Sequence, residues 1–253
     1  MVSNTVAVFG ATGGIGIEIV KAFLRRRKWS VIAVGRNLSP KRFLATVGTD
    51  GARIVPVKRL CYRRVPDIGR APLCDLIDSC GAPRQRPRVY VNATGTCFYA
   101  PFISASPQDF NRMITSNLRV SFHLLKHVCS VAHRDPSVPL LYVEIGSQAG
   151  ANVDHPNFSL YAMVKQGQVG LLRTLASEME GTRCAFLVLS PGGVNTRLYD
   201  RSLGDRLALR RKFEANSNLL PPPRVAEALL EHVGRWLRGE PDASLSSFIH
   251  RPI

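Results

Sequence analysis

Acidic side chains are scarce in this chain. Its 253 residues carry 18 Asp and Glu against 34 Lys and Arg, a formal net charge of +16. Such an imbalance favours anionic partners and raises the possibility of nucleic-acid binding. Yet the basic residues fall in short bursts: RRRK at 25–28, RR at 63–64, RQRPR at 84–88 and RLALRRK at 206–212. No aromatics interleave them and no basic tail follows, so they read as a solvated, anion-attracting surface rather than a nucleic-acid stripe. Long apolar runs are also missing. None approaches the roughly 20 residues that span a bilayer, and the opening MVSNTVAVFG does not read as a secretory leader. Cysteine spacing excludes other classes. The six cysteines, at 61, 74, 80, 97, 129 and 184, form no CxxC pair and no metal or disulfide framework. They predict reduced thiols in an intracellular compartment, the cytoplasm first and an organelle matrix as the alternative. Repeats, linkers and low-complexity segments are absent, which predicts one domain over residues 1–253.

Short apolar, β-branched runs alternate with longer amphipathic segments. The strands predicted are Thr5–Phe9, Ser30–Val34, Arg53–Val57, Val89–Val91, Leu140–Ile145, Cys184–Leu189 and Leu245–Ile249. The helices predicted are Gly14–Arg27, Ser39–Val47, Pro72–Ser79, Pro107–His133, Phe158–Glu180 and Arg224–Leu237. Near-continuous apolar strands separated by helices predict an α/β fold: a doubly wound, Rossmann-like parallel sheet of about seven strands with helices on both faces. Residues 197–223, polar and basic and ending in three prolines, interrupt this rhythm and read as a substrate lid.

Directly after the first strand stands Gly10-Ala-Thr12-Gly13-Gly14-Ile15-Gly16, opening the first helix. Glycine permits the tight turn and lets backbone N–H groups approach a pyrophosphate at the helix N-terminus. The second strand ends in Gly35 and Arg36. A carboxylate at this position suits a free ribose 2′-hydroxyl, whereas a guanidinium suits a 2′-phosphate. NADP(H) is therefore preferred over NAD(H).

Tyr161 and Lys165 lie four residues apart and project from one helix face. A phenol has an unperturbed pKa of roughly 10, and a neighbouring ammonium lowers it. The pair suits general acid/base work, with Ser147 upstream to hold the oxygen being protonated. His123 and His127 lie one turn apart, but no third metal ligand accompanies them, so no metal site is predicted.

Together these motifs resemble the short-chain dehydrogenase/reductase family, in its order and over nearly the whole chain. Gly10, Gly14 and Gly16 match its GxxxGxG turn. Asn92-Ala93-Thr94-Gly95 resembles its NNAG element, and Pro191-Gly192-Gly193-Val194-Asn195-Thr196 its PGxVxT loop. Asn117, Ser147, Tyr161 and Lys165 fall where the family places its catalytic residues. The resemblance implies that Tyr161 exchanges the proton with a carbonyl or alcohol oxygen. Lys165 tunes Tyr161 and binds the nicotinamide ribose, Ser147 donates to the reacting oxygen, and Asn117 holds a water beside Lys165. Asn92, Ala93, Gly95, Pro191, Gly192, Val194 and Thr196 then join the glycine loop in lining the cofactor. Gly10, Gly13 and Gly16 also satisfy the GxxGxxG form of the extended branch, which includes epimerases and dehydratases; chain length and the PGxVxT loop favour the classical branch. Lys58-Arg59 follows the third predicted strand, where the family usually has an acidic residue near the adenine. The implied partners are a small carbonyl or alcohol substrate, anionic or carrier-bound in one version, and further copies in a homodimer or homotetramer. A dinucleotide sensor or scaffold without catalysis is the rival reading. Phe98, Tyr99, Phe158, Leu198 and Tyr199 suggest apolar substrate walls.

Overall fold

The protein is described by a computed structural model over residues 4–48, 59–66, 87–150, 155–198, 202–215, 219–240 and 248–252. Its strands are β1 (Asn4–Phe9), β2 (Trp29–Gly35), β3 (Leu60–Arg64), β4 (Val89–Asn92), β5 (Phe98–Tyr99), β6 (Leu140–Ile145), β7 (Cys184–Ser190), β8 (Leu203–Gly204) and β9 (Phe248–Pro252). Its helices are α1 (Gly14–Leu24), α2 (Pro40–Gly48), α3 (Pro107–Met113), α4 (Val120–Arg134), α5 (Ser159–Glu178), α6 (Arg206–Glu214) and α7 (Pro222–Leu237). Seven strands form one sheet in the order β3-β2-β1-β4-β6-β7-β9, with every pairing parallel. The order reverses between β1 and β4, which opens a crevice at their carboxyl ends.

Side-chain alternation explains the layering. Val6 and Val8 of β1 enter a core shared with α1, α2 and α7, while Ala7 and Phe9 enter one shared with α4 and α5. Parallel strands covered on both faces need apolar residues at nearly every position. Each buried Val, Leu or Phe contributes about 1.5–3 kcal/mol. A third cluster lies at the carboxyl end of the sheet and joins Phe98, Tyr99, Phe158, Tyr161 and Leu209. It holds the segment read as a lid: β8 pairs with β5, and α6 follows, capped where the Asp205 side chain accepts from Ala208 N–H at 2.9 Å.

Several elements depart from expectation. The third strand lies at Leu60–Arg64, while the predicted range, Arg53–Val57, falls outside the described residues. The register of β3 is pinned from the side. Arg59 donates to the carbonyls of Leu24, Arg26 and Trp29 at 2.7–2.9 Å, and Tyr62 stacks on Phe43 with ring centroids 4.1 Å apart. Arg59 therefore precedes the strand at its amino end, away from the crevice. The helix expected at Pro107–His133 is broken into α3, a π-helical segment at Ile114–Arg119, and α4. A Ser106–Asp109 capping box with Pro107 starts α3. The last strand is described at Phe248–Pro252, and residues 245–247 of the expected range lie outside the described residues. The helix expected at Pro72–Ser79 lies outside the described residues.

Candidate active site

The glycine loop leaves β1 at Gly10, whose φ of +80° suits glycine alone. A β-carbon there would stand 2.5 Å from the Ala93 carbonyl oxygen, so the two loops at the crevice touch backbone to backbone. Gly13 caps α1 and its N–H reaches the Gly10 carbonyl at 2.9 Å. Gly13 and Gly14 are exposed, Thr12 and Ile15 partly so, and Gly16 is buried against the Gly10 turn. The first turn of α1 carries no acidic residue, leaving its N–H groups a positive end for an anion. Thr196 closes the far side: a β-carbon on Gly14 would meet its methyl at 2.8 Å. The Pro191–Val194 loop is held by a Val194–Leu220 bridge and by Gln148 N–H donating to the Pro191 carbonyl at 3.0 Å. Gly192 packs against the Gln148 side chain. At the end of β2 Arg36 is exposed, and Arg64, in register with Gly35, donates to the Arg36 carbonyl at 3.2 Å.

The proton-transfer candidates converge on the same crevice. Tyr161 and Lys165 share the inner face of α5 at 9 % and 3 % exposure, with the Lys165 Nζ 5.8 Å from the Tyr161 ring centroid. Nζ donates to the Ile145 carbonyl at 3.0 Å. Burial pushes the Lys165 ammonium below its ordinary pKa, opposed first by the charge of Glu144 and then by Cys97. The Cys97 thiol is itself pushed up to about 12 by burial. Ser147, half-buried, lies two residues past β6, and its Oγ accepts from Ala149 N–H at 3.2 Å.

Asn117 sits in the π-helical segment, fully buried, and donates to the carbonyls of Thr96 and Met113 at 3.2 and 3.0 Å. Its Oδ1 has no protein donor and lies against Gly95, whose φ is +152°. A β-carbon on Gly95 would stand 2.7 Å from that oxygen and 3.9 Å from the Lys165 Nζ. The extra residue of a π-turn re-aims a side chain out of the helical register, and here it is Asn117 that meets the Lys165 region. Aromatic residues wall the other side. Phe158 lies 5.9 Å from Tyr161 and 4.8 Å from Tyr99 between ring centroids, and Lys212 of α6 holds its Nζ 5.4 Å from the Phe158 ring. Leu198 packs into the same cluster, while Tyr199 lies outside the described residues.

A family model described as short chain dehydrogenase matches residues 4–206. The chain belongs to that family. Among curated relatives it is 29 % identical over 237 residues to an uncharacterized short-chain type dehydrogenase/reductase of Sinorhizobium fredii, covering 91 % of this chain and 82 % of the relative. Among solved structures, serine dehydrogenase complexed with NADP+ superimposes with a TM-score of 0.77 at 22 % identity, covering 98 % of this chain and 94 % of that one. A 4-hydroxyisoleucine dehydrogenase complexed with NADH gives 0.74 at 20 % identity, covering 99 % and 96 %. At these identities the structural matches establish the fold.

Within this short-chain dehydrogenase, sequence reasoning missed a set of buried polar residues beneath the crevice: Ser121 and Glu144, both bonded to Asn92, and Tyr142 and Gln168, both bonded to Glu144. A signal was available. Glu144 interrupts an otherwise apolar strand, Gln168 lies three residues past Lys165, and Ser121 lies four past Asn117. Arg64 was also missed, because it stands on β3, a strand the sequence pattern does not mark. His127, considered with His123, packs its ring on Tyr90 at 5.7 Å. No group of three or more His, Cys, Asp or Glu able to hold a metal occurs among the described residues. No described helix is long and apolar enough to cross a membrane.

Proposed function

We propose that this short-chain dehydrogenase is an NADP(H)-dependent oxidoreductase that interconverts a carbonyl and a secondary alcohol. One observation carries the reading: a buried lysine, Lys165, stands beside the Tyr161 ring at the floor of a crevice formed by the Gly10, Asn92 and Pro191 loops. The crevice fits a dinucleotide, because the Gly10 turn has no room for a β-carbon and the α1 N-terminus faces it without acidic residues. Gly10, Thr12, Gly13, Gly14, Ile15 and Gly16 would hold the pyrophosphate. Arg36, with Arg64 beside it, would meet a 2′-phosphate. Asn92, Ala93 and Gly95 would line one wall, and Pro191, Gly192, Val194 and Thr196 the other. A bound nicotinamide supplies or accepts hydride.

In this reading Tyr161 gives its proton to the carbonyl oxygen, or takes one from the alcohol. Lys165 steadies the phenolate that results and holds the nicotinamide ribose. Ser147 donates to the oxygen on which negative charge develops. The unpartnered Asn117 Oδ1 and the Lys165 Nζ flank Gly95, where a water between them would resupply the proton. Lys212, above the Phe158 and Tyr99 rings, favours a substrate with an anionic end. The chain would fold as one unit over residues 1–253, with residues 197–223 covering the substrate. A second copy would cover the apolar groove between α4 and α5, lined by Phe122, Leu125, Cys129, Leu171, Leu175 and Met179. An intracellular, cytoplasmic setting goes with Cys61, Cys97, Cys129 and Cys184, which form no disulfide among the described residues.

The test is a panel of ketones, oxo acids, 3-oxoacyl thioesters and quinones assayed by NADPH and NADH consumption. Turnover of one class, with Tyr161→Phe lowering it about 10²–10⁴-fold while cofactor binding persists, is the expected result. Failure of every class with both cofactors overturns the reading.

A further inference from the structure

Beneath the crevice, on the sheet face covered by α4 and α5, the interior turns polar around one carboxylate. Glu144 of β6 is fully buried. Asn92 of β4, its partner in register, donates Nδ2 to Oε1 and Oε2 at 3.0 and 3.1 Å. The Tyr142 hydroxyl donates to Oε2 at 2.7 Å. Gln168 of α5 donates Nε2 to Oε1 at 3.0 Å. The Ser121 hydroxyl of α4 stands 3.0 Å from Oε2 and 3.1 Å from the Asn117 carbonyl, with one proton to give to either. The Asn92 amide is oriented by a separate contact, its Oδ1 accepting the Thr94 N–H at 3.1 Å. Donors therefore meet both oxygens, which is the partner set of an ionised carboxylate rather than a protonated one.

The carboxylate has a counterpart on the same helix. Lys165 lies one turn before Gln168 and donates to the carbonyl of Ile145, the residue after Glu144. Two side chains of α5, one turn apart, thus bind successive residues of β6. Among the described residues the titratable groups around this centre are few. Glu144 and Tyr142 come from β6, Cys97 from the segment after β4, and Tyr161 from α5 itself. Burial and the Glu144 charge hold the Tyr142 phenol protonated, and burial does the same for the Cys97 thiol. Glu144 is then the anion acting on Lys165 among the described residues. A lone buried charge is costly, and an opposite charge with satisfied hydrogen bonds offsets that cost.

We infer that Glu144 is the anionic counter-charge of Lys165 and the positioning residue of the Tyr161–Lys165 pair. Through Asn92 it is also tied to the Thr94–Gly95 wall, and through Ser121 to the helix that carries Asn117. The elements bearing all four candidate catalytic residues meet at this carboxylate or at the residue beside it. The role given to the pair rests on the oxidoreductase reading; the charge relation does not.

The experiment is a titration of the full chain labelled with 13C at the lysine ε-carbons, the Lys165 signal being assigned by its loss in Lys165→Met. In the unmodified protein Lys165 is expected as the ammonium at neutral pH. In Glu144→Gln its midpoint should fall by about one to three pH units, the range an adjacent opposite charge commands. Gln168→Leu removes a contact to the carboxylate but not the charge and should leave the midpoint near its original place. Equal midpoints with and without Glu144, or an equal fall in Gln168→Leu, overturn the inference. If Glu144→Gln does not fold, the unmodified protein decides alone: an ammonium at neutral pH supports the counter-charge and a neutral amine overturns it. No substrate or cofactor enters the titration, so failure of the oxidoreductase reading would not affect it.

Discussion

Tyr142→Phe isolates the polar centre with the least disturbance of packing. The substitution keeps the ring, which is fully buried near Phe186, and removes only the hydroxyl that donates to Glu144 at 2.7 Å. A hydrogen bond to a charged acceptor contributes about 1.5–3 kcal/mol, and both the hydroxyl's ring and its acceptor are fully buried, so a loss of about 2 kcal/mol is expected. The loss should depend on pH. Burial holds the Glu144 carboxyl above the usual carboxylate range, opposed by Lys165 and then by the Tyr142, Asn92 and Ser121 hydrogen bonds. Removing the hydroxyl lets the carboxyl rise further. A carboxyl whose folded value exceeds its unfolded value, roughly 4.3, binds more protons when folded. Stability therefore falls as pH climbs from the unfolded value through the folded one, and is unaffected below both. The variant extends this fall to higher pH, so its deficit is small near pH 4 and full once Glu144 is ionised in both proteins. Urea unfolding at about pH 4 and about pH 8 measures both deficits, with the slope checked for constancy. A deficit below about 0.5 kcal/mol at the higher pH, or the same deficit at both, would falsify the view of Glu144 as a buried carboxylate held by donors.

Two further perturbations probe the crevice. Arg36→Ala should weaken NADPH binding by about 10- to 100-fold, the worth of one charge-assisted contact, and leave NADH binding within about twofold; isothermal titration with each cofactor checks this, and equal losses for both would remove Arg36 from the 2′-phosphate. Gly10→Ala forces a side chain into a positive φ and against the Ala93 carbonyl. A cost of about 2–4 kcal/mol follows, seen as a melting temperature lower by roughly 4–16 °C together with loss of dinucleotide binding.

The sequence alone determined the architecture and most of the crevice. Apolar strands alternating with helices can bury their surface only as a parallel sheet covered on both faces, and Gly10, Tyr161 and Lys165 announce themselves through local rules: a turn that needs glycine, and a four-residue spacing that makes one helix face. Those rules act within a few residues, so they survive in a linear reading. They did not mark the strand at Leu60–Arg64, because its place is set by Arg59 reaching carbonyls some 30 residues away. They missed the break in the long helix, since a π-turn leaves no strong mark on composition, yet it is that turn that brings Asn117 to Gly95. Glu144, Ser121, Tyr142 and Gln168 were each ordinary polar residues until the sheet, α4 and α5 closed over them around Asn92. Only packing decides which polar groups lose water, and a group that loses water must find its partners in the protein. The charge beneath Lys165 is therefore a property of the tertiary fold.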